Sequence, residues 1–491
     1  MSLGISERIG AWVADLQLQD VPRRVLEELK NQVLSCIAAM HAGHFSEPGR
    51  VVSRAVRQWS GGKDATLIPS GERTSLHNAL YGNAALSMAL DYDDYLFAAH
   101  TGHSAVVGSL AVAEAHNKSG SELLAAQLVA NEIGGRLGAV ALGGPLNGQM
   151  CTFVHLAGGA ALAARLLELD APKTAAALNI AVAQPPHPVR AGFFGSEAKA
   201  ILASQTLTAG VQAAQLAAQG MRVVADAWEG EDGVAKLFAV HPLGEAFRNL
   251  GDVWVSDTLS YKTYPGCAYL SAIIDCVLSL QRQHHIDGRK VRAVDIAANP
   301  LTLGMEAWSA PYLRGPESLP VTLNFSVAYS VAAALLDKEL SPRQFLPERI
   351  KDPATWDLAG RVRLVSDEAM TQKLQETALV RLEPSGRPGT GMRIDWGARQ
   401  LNTHKMSFGA RVRIELESGR TYEAEQEVPF GAFGRTFDDR RKQVEDKFRR
   451  ETRYTLRKER MERAIDMIFH LEDLNAAQVR ELVRLCCSEK S

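Results

Sequence analysis

Apolar residues recur at three- and four-residue spacing through 22–40, 104–117, 121–141, 154–169, 173–184 and 200–220. This is the repeat of helices that bury one face or more. Many of the repeating positions are small. AGGAALAAR (157–165) and LTAGVQAAQLAAQG (207–220) carry Ala and Gly where larger residues would hold neighbouring helices apart. A Gly-Pro pair at 144–145 and the Pro-rich stretch QPPHPVRAGFFG (184–195) interrupt the pattern, and long irregular segments inside a helical domain are often functional.

After Pro265 the period changes. Residues 268–284 predict one helix, and two-residue alternation then takes over in VRAVDIAA (291–298) and GRVRLV (360–365). In ARVRIELESGRTYEAEQEV, Val412, Ile414 and Leu416 share one face and Ser418-Gly419 supplies the turn of a hairpin. Helical spacing returns in Asp438–Arg450, Arg453–Phe469 and Ala476–Cys487. The pattern predicts a mainly α protein. A large helical domain is built from both ends of the chain, 1–264 and 431–491, with a smaller α+β insertion at 265–430. The cleft between them is the default place for a site.

Composition narrows the function classes. The 491 residues are 46% hydrophobic and 22% charged, with a formal net charge of -2. That balance offers no broad basic field for nucleic acid. The Lys and Arg of 435–463 alternate with acids, as on a solvated helix face. Six scattered cysteines without a CxxC pair imply reduced thiols and a cytoplasmic setting. The first residues, with Glu7 and Asp15, lack the apolar core of a signal peptide. The run Cys151–Ala164 is too short for a membrane span, which needs roughly 18 apolar residues.

The densest polar cluster is LDYDDYLFAAHTGHS, where Asp91, Asp93 and Asp94 precede His100 and His103 and an apolar helix follows at once. Burying such a set without a purpose would be costly. Three readings fit it: a loop of turn and cap residues, a metal site of Asp and His, or an acid–base centre. No HExxH or paired-cysteine spacing accompanies HTGH, so a metal is the weaker of the functional readings. Two lysines stand near structural breaks: Lys199 in GSEAKAILASQ and Lys262 in LSYKTYPGCAYLSAIID. GGRLG and GGPLNG lack the strand–turn–helix setting of a phosphate loop, and no GxSxG elbow marks a hydrolase.

Taken in order, these fragments resemble the MmgE/PrpD family. ALYGNAALSMALDYDDYLFAAHTGHS is similar to the family run A-x-x-N-G…H-A-L-D-[FY]-[DN]-D-T…G-H-P. NEIGGRLG resembles G-x-E-V-x-x-R, and Lys199 stands before a small-residue helix as the family's lysine does. KTYPGC (262–267) resembles K-x-Y-P-x-C, NFSVAYSVAAALL (324–336) resembles F-S-x-x-Y-x-V-A-x-A-L, and VEDKFR (444–449) resembles a late K-F motif. The resemblance covers nearly the whole chain. It implies that the insertion is a lid on the helical domain, that the protein is a homodimer, and that it acts on a small carboxylic acid with no cofactor and no metal. The spacing is that of the dehydratases, which implies dehydration or hydration through a proton removed beside a carboxylate, with decarboxylation, epimerisation or a non-catalytic homologue as alternatives.

Position by position, the resemblance puts Asp91, His103, Lys199 and Lys262 at catalytic places. Tyr95, His100, Gln149, Tyr264 and Ser271 fall at substrate-binding places, with Tyr95 where the family usually has threonine. Departures are equally informative. Histidines of the family pattern are replaced by Met88, Leu202 and Ser271, and the proline after the catalytic histidine by Ser104. Fewer cations around the site predict a substrate with fewer carboxylates than methylcitrate, or one with an apolar part.

Overall fold

A computed structural model describes residues 3–96, 99–141, 150, 152–186, 188–239, 241–377, 380–382, 392–394, 396–397, 401 and 404–488. The fold is mainly helical, with one small mixed sheet. Leu76–Met88, Gly102–Ala115, Gly120–Val140, Thr152–Leu166, Ala171–Val182 and Leu202–Ala218 pack on one another as a bundle. Ile5–Asp15 and Arg23–His44 lie along its flank.

The small residues set how closely these helices approach. A Cβ on Gly210 would strike the carbonyl of Leu156, and one on Gly159 would lie 2.9 Å from the Leu207 carbonyl. Starts are marked by capping residues. Ser75 accepts from Asn78 N, Asp170 accepts from Lys173 N, and Ser119 forms a capping box with Glu122.

The C-terminal end rejoins the bundle. Phe437–Thr452, capped by Thr436, packs along Arg23–His44, and Ala476–Leu485 reaches Gly102–Ala115. Between the two ends lies a four-stranded sheet in the order Thr421–Gln426, Ala410–Leu416, Val291–Ala298, Val362–Ser366. The first two pairings are antiparallel and the last is parallel. The hairpin turns at Gly419, whose φ of +80° suits glycine. Ala410, Val412 and Ile414 are buried beneath the helix Ser271–His284, while Arg413 faces out.

The apolar core runs unbroken from the bundle into the sheet, taking in Val294, Ile296, Val412 and Ile414. The expected boundary at 264/265 is therefore crossed by continuous packing. Cys36, Cys267, Cys276, Cys486 and Cys487 are free and buried. Among the described residues no helix is long and apolar enough to cross a membrane.

Candidate active site

Two short extended segments bring the acids to the lysines. Asp94-Tyr95 pairs antiparallel with Ser260-Tyr261, and Lys262 N donates to the Asp93 carbonyl at 3.1 Å. The helix Leu76–Met88 ends just before the acids, and Asp91 turns the chain with a left-handed φ of +52°. Non-glycine residues adopt that conformation at a cost, which asparagine and aspartate bear best. The turn aims the Asp91 carboxylate inward.

Asp91 is held between two ammonium groups. Lys199 Nζ donates to Oδ2 at 2.8 Å, and Lys262 Nζ pairs with Oδ1 and with the Asp91 carbonyl. Lys262 also donates to Asp93 Oδ1 at 2.9 Å. Lys199 reaches the site from a short 3-10 turn, Glu197–Ile201, packed on the helix Leu76–Met88. The other oxygen of Asp93 lies 2.9 Å from His100 Nδ1 and 3.0 Å from His103 Nε2, although the angle at His103 is too poor for a hydrogen bond. All these side chains are buried except His100, which is 14% exposed.

Burial opposes ionisation of Asp91, but Lys199 and Lys262 outweigh it and hold the carboxyl below its ordinary value. Asp93 is likewise held low, against burial, by Lys262, His103 and His100. The lysines diverge. Burial draws Lys199 down despite Asp91, whereas Asp91 and Asp93 together override burial and raise Lys262. Lys199 also sits against two aromatic faces, 4.4 Å from the Phe325 ring and 5.0 Å from the Phe193 ring. Of the two, Lys199 is the readier to release a proton.

His103 opens the helix Gly102–Ala115, with its Nδ1 2.9 Å from Ser87 Oγ. Ser87 already donates its hydroxyl hydrogen to the Ala84 carbonyl, so it accepts from His103 Nδ1–H. This assignment leaves Nε2 as the nitrogen turned towards Asp93. Behind His103 stands His155, with ring centroids 5.9 Å apart. Ser104 donates to the Thr101 carbonyl and accepts from His155 Nδ1. Burial, with His103 and His100 nearby, pushes His155 down to about 3, so it is a neutral ring at physiological pH.

Asp94 faces away from the lysines. Its Oδ2 accepts from Gln32 Nε2 at 2.7 Å and from Gly102 N at 3.3 Å. Burial and the Asp93 charge push its carboxyl up to about 6. Gln32 continues into a buried amide network with Gln127 and Asn131. From the C-terminal end, Lys447 Nζ donates to Ser35 Oγ and the Tyr92 carbonyl, and burial draws it down to about 7.

The expected residues divide into groups. Asp91, His103, Lys199 and Lys262 converge, with His100 joined to them through Asp93. Tyr95 lies beside His100, ring centroids 6.2 Å apart, but packs into an apolar cluster with Phe408 and Met406. Tyr264 turns from the acids and donates to Asp275 Oδ1 at 2.9 Å. Ser271 is buried at the start of its helix. Gln149 lies outside the described residues. Met88 and Leu202 are buried apolar side chains.

Sequence reasoning missed His155, Ser87 and Lys447. A lone histidine in the apolar run TFVHLAGG reads as core, and only the helix packing sets it beside His103. The KF pair at 447–448 was visible as a motif without its contact to Tyr92.

A metal ion has one plausible set of ligands among the described residues: Asp91, Asp93 and His100, whose ligand atoms lie within 4.8 Å of one another. Lys262 already pairs with both carboxylates, so a dication would have to displace a buried ammonium.

Chemically, the cluster offers two buried ammonium groups paired with two carboxylates, and an imidazole nitrogen beside them. Fixed cations in a dry interior stabilise charge that develops in a transition state.

Comparison with known proteins agrees with the sequence resemblance. The model of the MmgE/PrpD N-terminal domain matches residues 7–243, and that of the MmgE/PrpD C-terminal domain matches residues 264–387. Cis-aconitate decarboxylase of Aspergillus terreus (strain NIH 2624 / FGSC A1156) is 25% identical over 397 residues, covering 75% of this chain and 80% of the relative. Cis-aconitate decarboxylase-like protein oryM of Aspergillus oryzae (strain ATCC 42149 / RIB 40) is 23% identical over 516 residues, covering 97% and 96%.

Proposed function

This chain belongs to the MmgE/PrpD family of lyases, and from that premise we propose that it decarboxylates a small unsaturated carboxylic acid. The observation that carries this reading is Lys199, an ammonium on Asp91 flanked by the Phe193 and Phe325 rings. A cation on one carboxylate of the substrate stabilises the carbanion left behind, and an apolar wall favours loss of the other as neutral carbon dioxide. The resemblance to decarboxylases along most of the chain supports the same outcome.

In this scheme the substrate carboxylate competes with Asp91 for Lys199 and Lys262. The C–C bond breaks, its electron pair stays on the substrate as an enolate-like carbanion, and carbon dioxide leaves. His103 Nε2 or Lys199 delivers the proton that completes the product. Asp93 holds Lys262 and His100 in place. Dehydration is the second reading, supported by the dehydratase-like spacing of Asp91 and His103. With apolar or neutral residues at Met88, Leu202 and Ser271, the substrate carries fewer carboxylates than cis-aconitate or an apolar part. A homodimer, a cytoplasmic setting and independence of cofactor and metal belong to the proposal.

The test is incubation of purified protein with mono-, di- and tricarboxylic acids, following carbon dioxide release and water loss separately by 13C NMR. Carbon dioxide release that falls at least about 100-fold in both His103→Ala and Lys199→Ala is expected. Water loss without carbon dioxide moves the assignment to dehydration. Turnover unchanged in both variants overturns the site, and rapid turnover of cis-aconitate or 2-methylcitrate overturns the substrate class.

A further inference from the structure

Asn324 is wholly buried, yet neither its Oδ1 nor its Nδ2 has a hydrogen-bond partner among the described residues. An amide that leaves water and makes no bond carries the full penalty of desolvation. Buried polar groups in folded proteins are almost always paired, and the Nδ2 of Asn324 has two hydrogens to offer an acceptor.

Its position says which partner. The Asn324 carbonyl accepts from Cys267 N at 2.8 Å and lies 2.9 Å from where a Cβ on Gly266 would stand. Gly266 N in turn donates to the carbonyls of Leu90 and Asp91. The Cys267 thiol lies within electrostatic range of Asp91, Lys262 and Lys199. The next residue in the chain is Phe325, whose ring faces Lys199 Nζ at 4.4 Å. The backbone of Asn324 therefore borders the KTYPGC loop beside the Asp91 turn, and the following residue faces the Lys199 ammonium.

We propose that Asn324 is a substrate-binding residue, its amide hydrogens donated to a carboxylate oxygen of the bound acid beside Lys199. The amide supplies direction without charge. It thus replaces part of the binding that histidines at positions 202 and 271 would otherwise give, and it suits an acid with fewer carboxylates. This inference rests on the carboxylic-acid reading above.

The test compares Asn324→Leu with the wild-type full-length protein in two measurements. In the first, thermal unfolding without ligand, Asn324→Leu melts higher than wild type, because a side chain of similar size removes the open polar atoms. A structural amide, or one paired by an ordered water, gives the reverse, and a lower melting temperature overturns the proposal. In the second, malonate, maleate and cis-aconitate are titrated separately, and Asn324→Leu binds whichever the wild type binds at least about tenfold more weakly. Equal affinity overturns it. Should Asn324→Leu fail to fold, the melting result already counts against the proposal. Asn324→Asp then gives a second reading, since a carboxylate there repels the probe and weakens binding further. A wild type that binds none of the three acids counts against the carboxylic-acid reading itself, while the ligand-free melting comparison still decides Asn324.

Discussion

The Asp91–Asp93 cluster and the outer face of the four-stranded sheet are made from the same kind of ion pair in opposite surroundings. In the cluster, Lys199, Lys262, Asp91 and Asp93 have side chains no more than 2% exposed. On the sheet, Asp295 bridges Arg363 and Arg413 across neighbouring strands, with Arg363 74% exposed. The sheet pairs are screened by water and order two flexible side chains for little return. The cluster pairs have shed their hydration, so each charge depends on its partner. The buried charges are the ones that our proposal sets against a bound acid, while those on the sheet stay in contact with water.

That contrast can be broken at its strongest point by Lys262→Met, which leaves Asp91 and Asp93 buried without their shared cation. We expect a loss of roughly 3–5 kcal/mol in urea unfolding together with loss of turnover. A variant as stable as wild type would mean that the two acids are not both charged.

A smaller effect separates the two neighbouring acids, Asp93 and Asp94. Asp93 is depressed in the fold, so its contribution is present above the unfolded carboxyl range and is lost as pH falls. Asp94 is raised to about 6. Ionising it costs stability as pH climbs from about 3.9, the unfolded value, through 6. Asp94→Asn should therefore melt higher than wild type at pH 7.5, with the gap closing by pH 4. A gap that widens towards acid would reverse the assignment.

The smallest effect sharpens the other side. Arg363→Ala on the sheet should change stability by less than about 1 kcal/mol and leave turnover untouched. A larger loss, persisting in high salt, would show the sheet pairs to be more than surface charge.

Much of the scaffold was legible because hydrophobic period survives in the sequence. The hairpin read from Val412, Ile414 and Gly419 is the observed pair Ala410–Leu416 and Thr421–Gln426. The helices expected over 121–141 and 173–184 are found at Gly120–Val140 and Ala171–Val182. Within the site, Asp91 and His103 were legible as a local cluster, and Lys199 and Lys262 through their order along the chain. The remainder depends on contacts between distant segments. His155 meets His103 across 52 positions through helix packing, and Lys447 meets Tyr92 from the far end of the chain. Neither leaves a periodic signal. Tyr264, which the resemblance places among the substrate-binding residues, donates to Asp275 Oδ1, a contact no local pattern announces.

Gly102 has no functional group, yet a Cβ there would collide with Asp94 Oδ1. Its backbone N–H is already given to the same carboxylate, and the next residue is His103. In a deep mutational scan this glycine would rank with the charged residues around it, and its alanine allele would behave as a loss-of-function allele. A position that contributes no atom to the proposed chemistry is thus tied to it by the carboxylate packed against it.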